Sequence, residues 1–220
     1  QISQCAEQIP TRTLSPAALA DEMLRLQARG AHNVNLVSPT HVAAQVAQSL
    51  CLARERGLTL PVVYNTNGYE ALETLQALEG LIDVYLPDIK YSDDQQARRY
   101  SGVDDYVMVN RRAIREMFRQ VGDLVLDEEG LARRGLLVRH LVLPEDCADS
   151  QESLKFLAAL STDMVVSLMA QYSPQYKARG LPPLDRTITE REYEAVLEMA
   201  LDLVLERCFV QEVESKAAFL

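Results

Sequence analysis

Short apolar, β-rich runs alternate with helical patterns from one end of the chain to the other, and this beat limits the fold more than any other feature. Ser15-Pro16 opens a helix over 17–28, with Ser15 as N-cap, Pro16 in the first turn, Leu19, Met23 and Leu26 on one face, and Gly30 as stop. A strand over 33–37 follows. Then come a helix over 42–56 striped by Val42, Val46, Leu50 and Ala53, a strand over 60–64, a helix over 69–78 and a strand over 82–86. Helices over 93–100 and 110–121 precede Asp127-Glu128-Glu129-Gly130, which reads as a turn joining two short strands. The run over 135–143 is the longest strand. It leads to a helix over 150–160, a strand over 164–170, a helix over 190–205 and a last strand over 209–213.

Strands separated by helices join by right-handed crossovers and build a parallel sheet. The expected fold is α/β, a partial TIM-like barrel with a small β-hairpin insertion; a doubly wound open sheet is the competitor. No linker or internal repeat divides the chain, so residues 1–220 are expected to form one domain. An apolar content of 48% is ample for its core.

Charge narrows the function. A net charge of −10 argues against a protein that tracks nucleic-acid phosphates, which needs an excess of Lys and Arg. No apolar run reaches the roughly 18 residues of a membrane helix, and the first residues carry no signal-peptide pattern. Cys5, Cys51, Cys147 and Cys208 lie far apart with no C-x-x-C pair. They read as reduced thiols of a cytoplasmic protein, not as a disulfide framework or a zinc site.

In parallel α/β folds, ligands sit where strands end. Here the strand ends carry Ser38-Pro39-Thr40-His41, Asn65-Thr66-Asn67-Gly68, Pro87-Asp88-Ile89-Lys90 and Gln171-Tyr172-Ser173-Pro174, while the long strand carries Arg139 and His140 and ends in Pro144. Lys90 and Arg139 fall within or just past apolar strands, where a charge needs a partner. Either a charged ligand or a paired Asp88 answers that need. Asp88 and Lys90, two apart on extended backbone, point to the same face, whereas His140 points opposite to Arg139 and is expected to pack against an outer helix. Polar loop starts are common, Asn65 to Gly68 is also good turn chemistry, and His41 could be a ligand or a helix cap.

The ordered strings Asn33-Val-Asn-Leu-Val-Ser-Pro-Thr-His41, Val63-Tyr-Asn-Thr-Asn-Gly68, Tyr85-Leu-Pro-Asp-Ile-Lys90 and Gly135-Leu-Leu-Val-Arg-His-Leu-Val-Leu-Pro144 resemble one family. Met169-Ala-Gln-Tyr-Ser-Pro174 and Tyr176-Lys-Ala-Arg179 extend the match. It is the branch of radical S-adenosylmethionine proteins similar to pyruvate formate-lyase activating enzymes. The resemblance implies a partial (β/α)6 barrel and a 4Fe–4S cluster held by C-x-x-x-C-x-x-C after the first strand. It also implies reductive cleavage of S-adenosylmethionine to a 5′-deoxyadenosyl radical that abstracts hydrogen. The implied partners are a glycyl radical enzyme and an electron donor such as flavodoxin or ferredoxin.

Carried over residue by residue, the resemblance implies that Asn65, Thr66 and Asp88 line a cofactor and monovalent-cation site, with Asn65 standing where the activators carry Asp. Lys90 and Arg139 match cofactor-binding basic residues, and Tyr172 stands near a cofactor-contacting His. Val37-Ser38-Pro39-Thr40 replaces the family's Gly-Gly-Glu, so Ser38 and Thr40 are left to offer oxygens. His41, Tyr176, Lys177 and Arg179 are candidate substrate contacts. The family's Pro-Gly after the long strand is Pro144-Glu145 here, which predicts a loop without glycine's freedom. Gln1-Ile-Ser-Gln4 resembles the stretch after the third cluster cysteine. The first strand and the cluster ligands are therefore expected upstream of Gln1, Cys5 is not a ligand, and this chain alone is expected neither to hold the cluster nor to cleave the cofactor.

Two other readings fit parts of the pattern. Asp88-Ile-Lys-Tyr-Ser-Asp93 matches the D-x-K-x-x-D of cluster-free decarboxylases related to the orotidine-monophosphate enzyme. A barrel that binds S-adenosylmethionine or a small anion without redox chemistry is the other.

Overall fold

The computed structural model describes residues 13–211; the expectations for Gln1 to Gln4, for Cys5 and for the strand beyond Gln211 fall outside them. Seven strands form one sheet in the order β1-β2-β3-β5-β6-β7, with β4 attached to β5. They are β1 (Val34–Val37), β2 (Val62–Thr66), β3 (Val84–Ile89), β4 (Val125–Leu126), β5 (Ala132–Leu141), β6 (Val165–Met169) and β7 (Cys208–Phe209). Every pairing is parallel except β4 with β5, the expected hairpin. The helices are α1 (Pro16–Ala28), α2 (Ala43–Glu55), α3 (Leu72–Ala77), α4 (Asp94–Ser101), α5 (Tyr106–Val121), α6 (Ser150–Leu160) and α7 (Glu190–Asp202). This is an α/β part-barrel, with β1 and β7 as the edges of the sheet.

Local chemistry sets the helix ends. The Ser15 hydroxyl accepts from the Ala18 N–H at 3.2 Å with Pro16 behind it, which starts α1 where expected. Thr189 and Glu192 make a reciprocal capping box on α7. Helix α2 starts one residue late because Thr40–Val42 forms a separate 3-10 turn, leaving Val42 outside the buried stripe of Val46, Ser49, Leu50 and Ala53. Helix α3 is shorter than its pattern because the residues before it are drawn elsewhere: Tyr69 bonds Asp105, and Glu70 is buried. Helix α7 stops at Asp202, where the chain turns through Val204 at φ 59° and buries Leu205.

The strand ends depart from expectation both ways: β5 stops at Leu141 and β6 at Met169, short of 143 and 170, while two others run longer. β2 and β3 run past 64 and 86 to Thr66 and Ile89, so Asn65 and Asp88 sit inside the sheet instead of in the loops beyond it. Asp88 pairs in register with Arg139, and Arg139 in turn with Ser167. Alternation then divides the residues between two faces. Tyr64, Tyr85, Ile89, Leu136, Val138, Val166 and Leu168 face the helices and form the main core. Val63, Val84 and Val165 line the concave face, where Leu124, just ahead of β4, closes a smaller apolar cluster. Gly135, at φ 122°, lets the hairpin cross β5, since a Cβ there would stand 2.4 Å from the Asp123 carbonyl oxygen.

Candidate functional site

Above that small apolar floor, the concave face carries charge. Arg139 reaches Asp88 Oδ1 at 2.7 Å and Asn65 Oδ1 at 2.8 Å, while the Lys90 ammonium pairs with Asp88 Oδ2. Three neighbouring strands, β2, β3 and β5, thus bring Asn65, Asp88, Lys90 and Arg139 to one place. Of the two answers left open by the sequence, Asp88 supplies one, pairing with both cations. The group still holds two positive charges against one negative, and Arg139 Nε is buried without an acceptor among the described residues. The Lys90 side chain is 37% exposed, so solvent or a ligand reaches the cluster from its side. A net positive, partly dehydrated group suits an anion with several oxygens.

A buried layer fixes these side chains. Asn110 of α5 donates from Nδ2 to the carbonyls of Gly68 (3.0 Å) and Asp88 (2.9 Å), clamping the end of β2 to the end of β3. Gly68 is obligatory, because a Cβ there would stand 2.1 Å from the Asp88 carbonyl oxygen. The Lys90 N–H donates to the Tyr106 hydroxyl at 2.9 Å, and burial pushes that phenol's pKa up. Tyr69 stacks on Tyr106 with ring centroids 6.2 Å apart and donates to Asp105 at 2.6 Å, a bond that raises its own pKa.

Glu70 organises the neighbouring loops. Its Oε1 accepts from the Thr40 hydroxyl at 2.6 Å and from the Thr66 hydroxyl. Thr40 and Thr66 therefore spend their hydroxyl protons on an internal carboxylate, which ties the β1 loop to the end of β2. Burial, helped by the Glu70 charge, pushes the Tyr64 phenol up to about 12. Ser38 takes the left-handed backbone at φ 51°, a conformation that favours glycine, and its N–H donates to the Asn65 carbonyl at 2.8 Å.

The remaining candidates are not joined to this cluster by any hydrogen bond or ion pair among the described residues. Tyr172 donates its hydroxyl to the Leu184 carbonyl at 2.6 Å. His41 lies exposed in the 3-10 turn after β1, and Tyr176, Lys177 and Arg179 lie exposed in another after β6. The expectation for Pro144-Glu145 is corrected: Glu145 adopts φ 53° and Asp146 φ 50°, so the loop takes a glycine-like path without glycine. Two contacts hold it there. The Glu145 N–H donates to Glu192 Oε1 at 2.7 Å, and Asp146 Oδ1 accepts from the Ser150 N–H at 2.9 Å. His140 packs on the helix side as expected, fully buried between the Ile89 carbonyl and the Ser150 hydroxyl.

Asn110 and Glu70 escaped the sequence reading. An asparagine on the buried face of α5, in line with Tyr106, Ala113, Ile114 and Met117, is the signal that would have found the first. Glu70, in a turn, has no comparable pattern.

No family model matches the chain. It is 32% identical over 180 residues to an uncharacterized protein of Methanocaldococcus jannaschii, an alignment covering 78% of this chain and 48% of that protein. The chain therefore spans about half the length of the curated relative it matches. Among solved structures, a domain of a pyruvate-formate lyase-activating enzyme from Bacteroides vulgatus is similar, with a TM-score of 0.55 and 14% identity over 82% of this chain and 99% of that one. The likeness establishes a shared part-barrel fold.

Cys51 is exposed, Cys147 buried and Cys208 half-buried, and among the described residues no three His, Cys, Asp or Glu side chains form a group able to hold a metal ion. The described residues do not fit an iron–sulfur cluster. They do fit the carboxylate end of an amino acid, at Lys90 and Arg139. No described helix is long and apolar enough to cross a membrane.

Proposed function

We propose that this part-barrel is the S-adenosylmethionine-binding portion of a radical enzyme of the activating-enzyme type, and that Lys90 and Arg139 receive the cofactor's carboxylate. One observation carries the reading: two cations face a single carboxylate on the concave face, with an unused Arg139 N–H buried beside them. Asn65 and Asp88 orient that pair and offer acceptors for an ammonium group or a monovalent cation. Ser38 turns the β1 loop beside Asn65, while Thr40 and Thr66 hold the loop through Glu70. Tyr172 is assigned to the cofactor side of the site, and His41, Tyr176, Lys177 and Arg179 to contacts with a protein substrate such as a glycyl radical enzyme. In a longer protein whose other residues held a reduced iron–sulfur cluster beside this site, the cofactor would supply a 5′-deoxyadenosyl radical for hydrogen abstraction. The cluster ligands are assigned to residues outside 13–211, and the electron donor is of the flavodoxin or ferredoxin kind.

Equilibrium dialysis or calorimetry with S-adenosylmethionine tests the binding step on this chain alone. Lys90→Ala and Arg139→Ala each lower affinity roughly ten- to a hundredfold, the value of a charge-assisted contact of about 1.5–3 kcal/mol. Unchanged binding in both variants overturns the assignment. Release of 5′-deoxyadenosine by the longest natural form, reconstituted without oxygen and then reduced, tests the redox step. If binding persists and cleavage is absent, the cofactor-binding barrel without redox chemistry is the correct reading. The D-x-K-x-x-D reading loses ground because Asp93 is turned away to cap α4, accepting from the Gln95 N–H at 2.8 Å.

A further inference from the structure

Two surface helices carry complementary exposed stripes, in which Arg112, Glu190, Glu194 and Glu198 are unpaired among the described residues. On α5, Met108, Arg112, Arg115 and Arg119 are all exposed and spaced four, three and four residues apart, which puts them on one helical face. On α7, Glu190, Glu194, Glu198 and Leu201 are exposed at spacings of four, four and three. Both stripes span the same length, about 16 Å at 1.5 Å per residue. Each has an apolar residue at one end, Met108 at 53% and Leu201 at 65% exposure.

Laid antiparallel, the stripes match along their whole length. Met108 meets Leu201, Arg112 meets Glu198, Arg115 meets Glu194 and Arg119 meets Glu190. Antiparallel helices also oppose their macrodipoles favourably. Those dipoles explain an acid in the first turn of α7 and an Arg in the last turn of α5, but not the charges in mid-helix. Within the molecule, Arg119 pairs with Glu116 and Glu79, and Arg115 lies over the Phe156 ring, 4.8 Å from its centroid. Arg112, Glu190, Glu194 and Glu198 have no partner among the described residues. Helix α6 separates the two stripes, since it packs on α7 and presents Phe156 to Arg111 and Arg115. A basic stripe on a chain of net charge −10 finds its complement on a second copy.

We propose that copies of this chain associate head to tail, the α5 face of one docking on the α7 face of the next. The two patches differ, so the contact is heterologous and builds rings or short open chains. One helix pair is a small interface, so the association is transient and salt-sensitive.

Sedimentation equilibrium of the chain tests this without any cofactor. At about 0.01 M salt, where charges act over roughly 30 Å, the average mass rises with concentration to at least double the 24.6 kDa monomer. At about 1 M salt it returns to the monomer value. Arg112→Glu/Arg115→Glu and Glu194→Arg/Glu198→Arg each remain monomeric at low salt. Their equimolar mixture associates again, because each reversed helix faces an opposite one on the other variant. Circular dichroism checks that both are folded; if one is not, Arg112→Gln/Arg115→Gln loses the association in its place. A wild-type chain monomeric at low salt, a reversed variant that associates like wild type, or a mixture of folded variants that stays monomeric overturns the proposal.

Discussion

Arg139 and His140 are neighbours on β5 that face opposite sides of the sheet, and their polar atoms are satisfied to different degrees. His140 is fully buried among helices, with both ring nitrogens bonded: Nδ1 donates to the Ile89 carbonyl at 2.9 Å, which leaves Nε2 to accept from the Ser150 hydroxyl at 3.0 Å. Arg139 faces the concave side at 27% exposure, shares Asp88 with Lys90, and keeps Nε without an acceptor. A buried polar group whose bonds are all made by the fold serves stability. One left incomplete beside an excess of like charge is the feature on which the proposed anion site rests.

Substitution on the helix side is expected to break the fold more than anything on the concave side. His140→Ala strands the Ile89 carbonyl and the Ser150 hydroxyl in the core and leaves a cavity, costing about 3 kcal/mol in urea unfolding. Arg139→Ala leaves Lys90 on Asp88 and lowers stability by about 1 kcal/mol or less, while carrying the affinity loss for an anionic ligand. If the two variants lose stability equally, the contrast between the faces fails.

Acid sharpens the same contrast. Burial pushes the His140 pKa below its ordinary value, so near pH 6 the unfolded chain binds more protons at this residue than the folded one. Stability from this residue is therefore full above the ordinary histidine range and declines as pH falls through it. Wild type is expected to lose stability from about pH 7 to 5 more steeply than His140→Ala, read as the difference between their unfolding midpoints. Parallel curves would show that the neutral ring contributes nothing.

Much of this was legible in the sequence, and the rest was hidden for definite reasons. The order of strands and helices follows from hydrophobic periodicity, which survives any detail of packing. Asp88 and Lys90 stood out because a D-x-K on a strand puts both groups on one face, and the structure joins them. Strand ends were misread where polarity was taken as the end of the ladder. Asn65 and Asp88 are polar because they face the concave side, and the backbone pairing continues through both. Thr40 and Thr66 looked like free hydroxyls because the carboxylate they serve, Glu70, lies in a turn that no periodicity marks. Side-chain targets across strands are tertiary facts, and local pattern does not carry them.

The smallest expected effect concerns the loop where β5 leaves the sheet. Sequence reasoning held that Glu145 denied this loop a glycine-like path, yet the residue sits at φ 53°, where an L side chain is strained by roughly 1–2 kcal/mol. The bond from its backbone N–H to Glu192 depends on the path and not on the side chain, which reaches Arg186 only at 3.8 Å and is 66% exposed. Glu145→Gly keeps that bond and relieves the strain, while the added freedom of the unfolded chain takes back about 0.4–1 kcal/mol. A net gain of up to about 1 kcal/mol is expected in urea unfolding, with ligand affinity at Lys90 and Arg139 unchanged. A loss of stability would mean that the Glu145 side chain, and not the loop's backbone, holds the exit of β5 against α7.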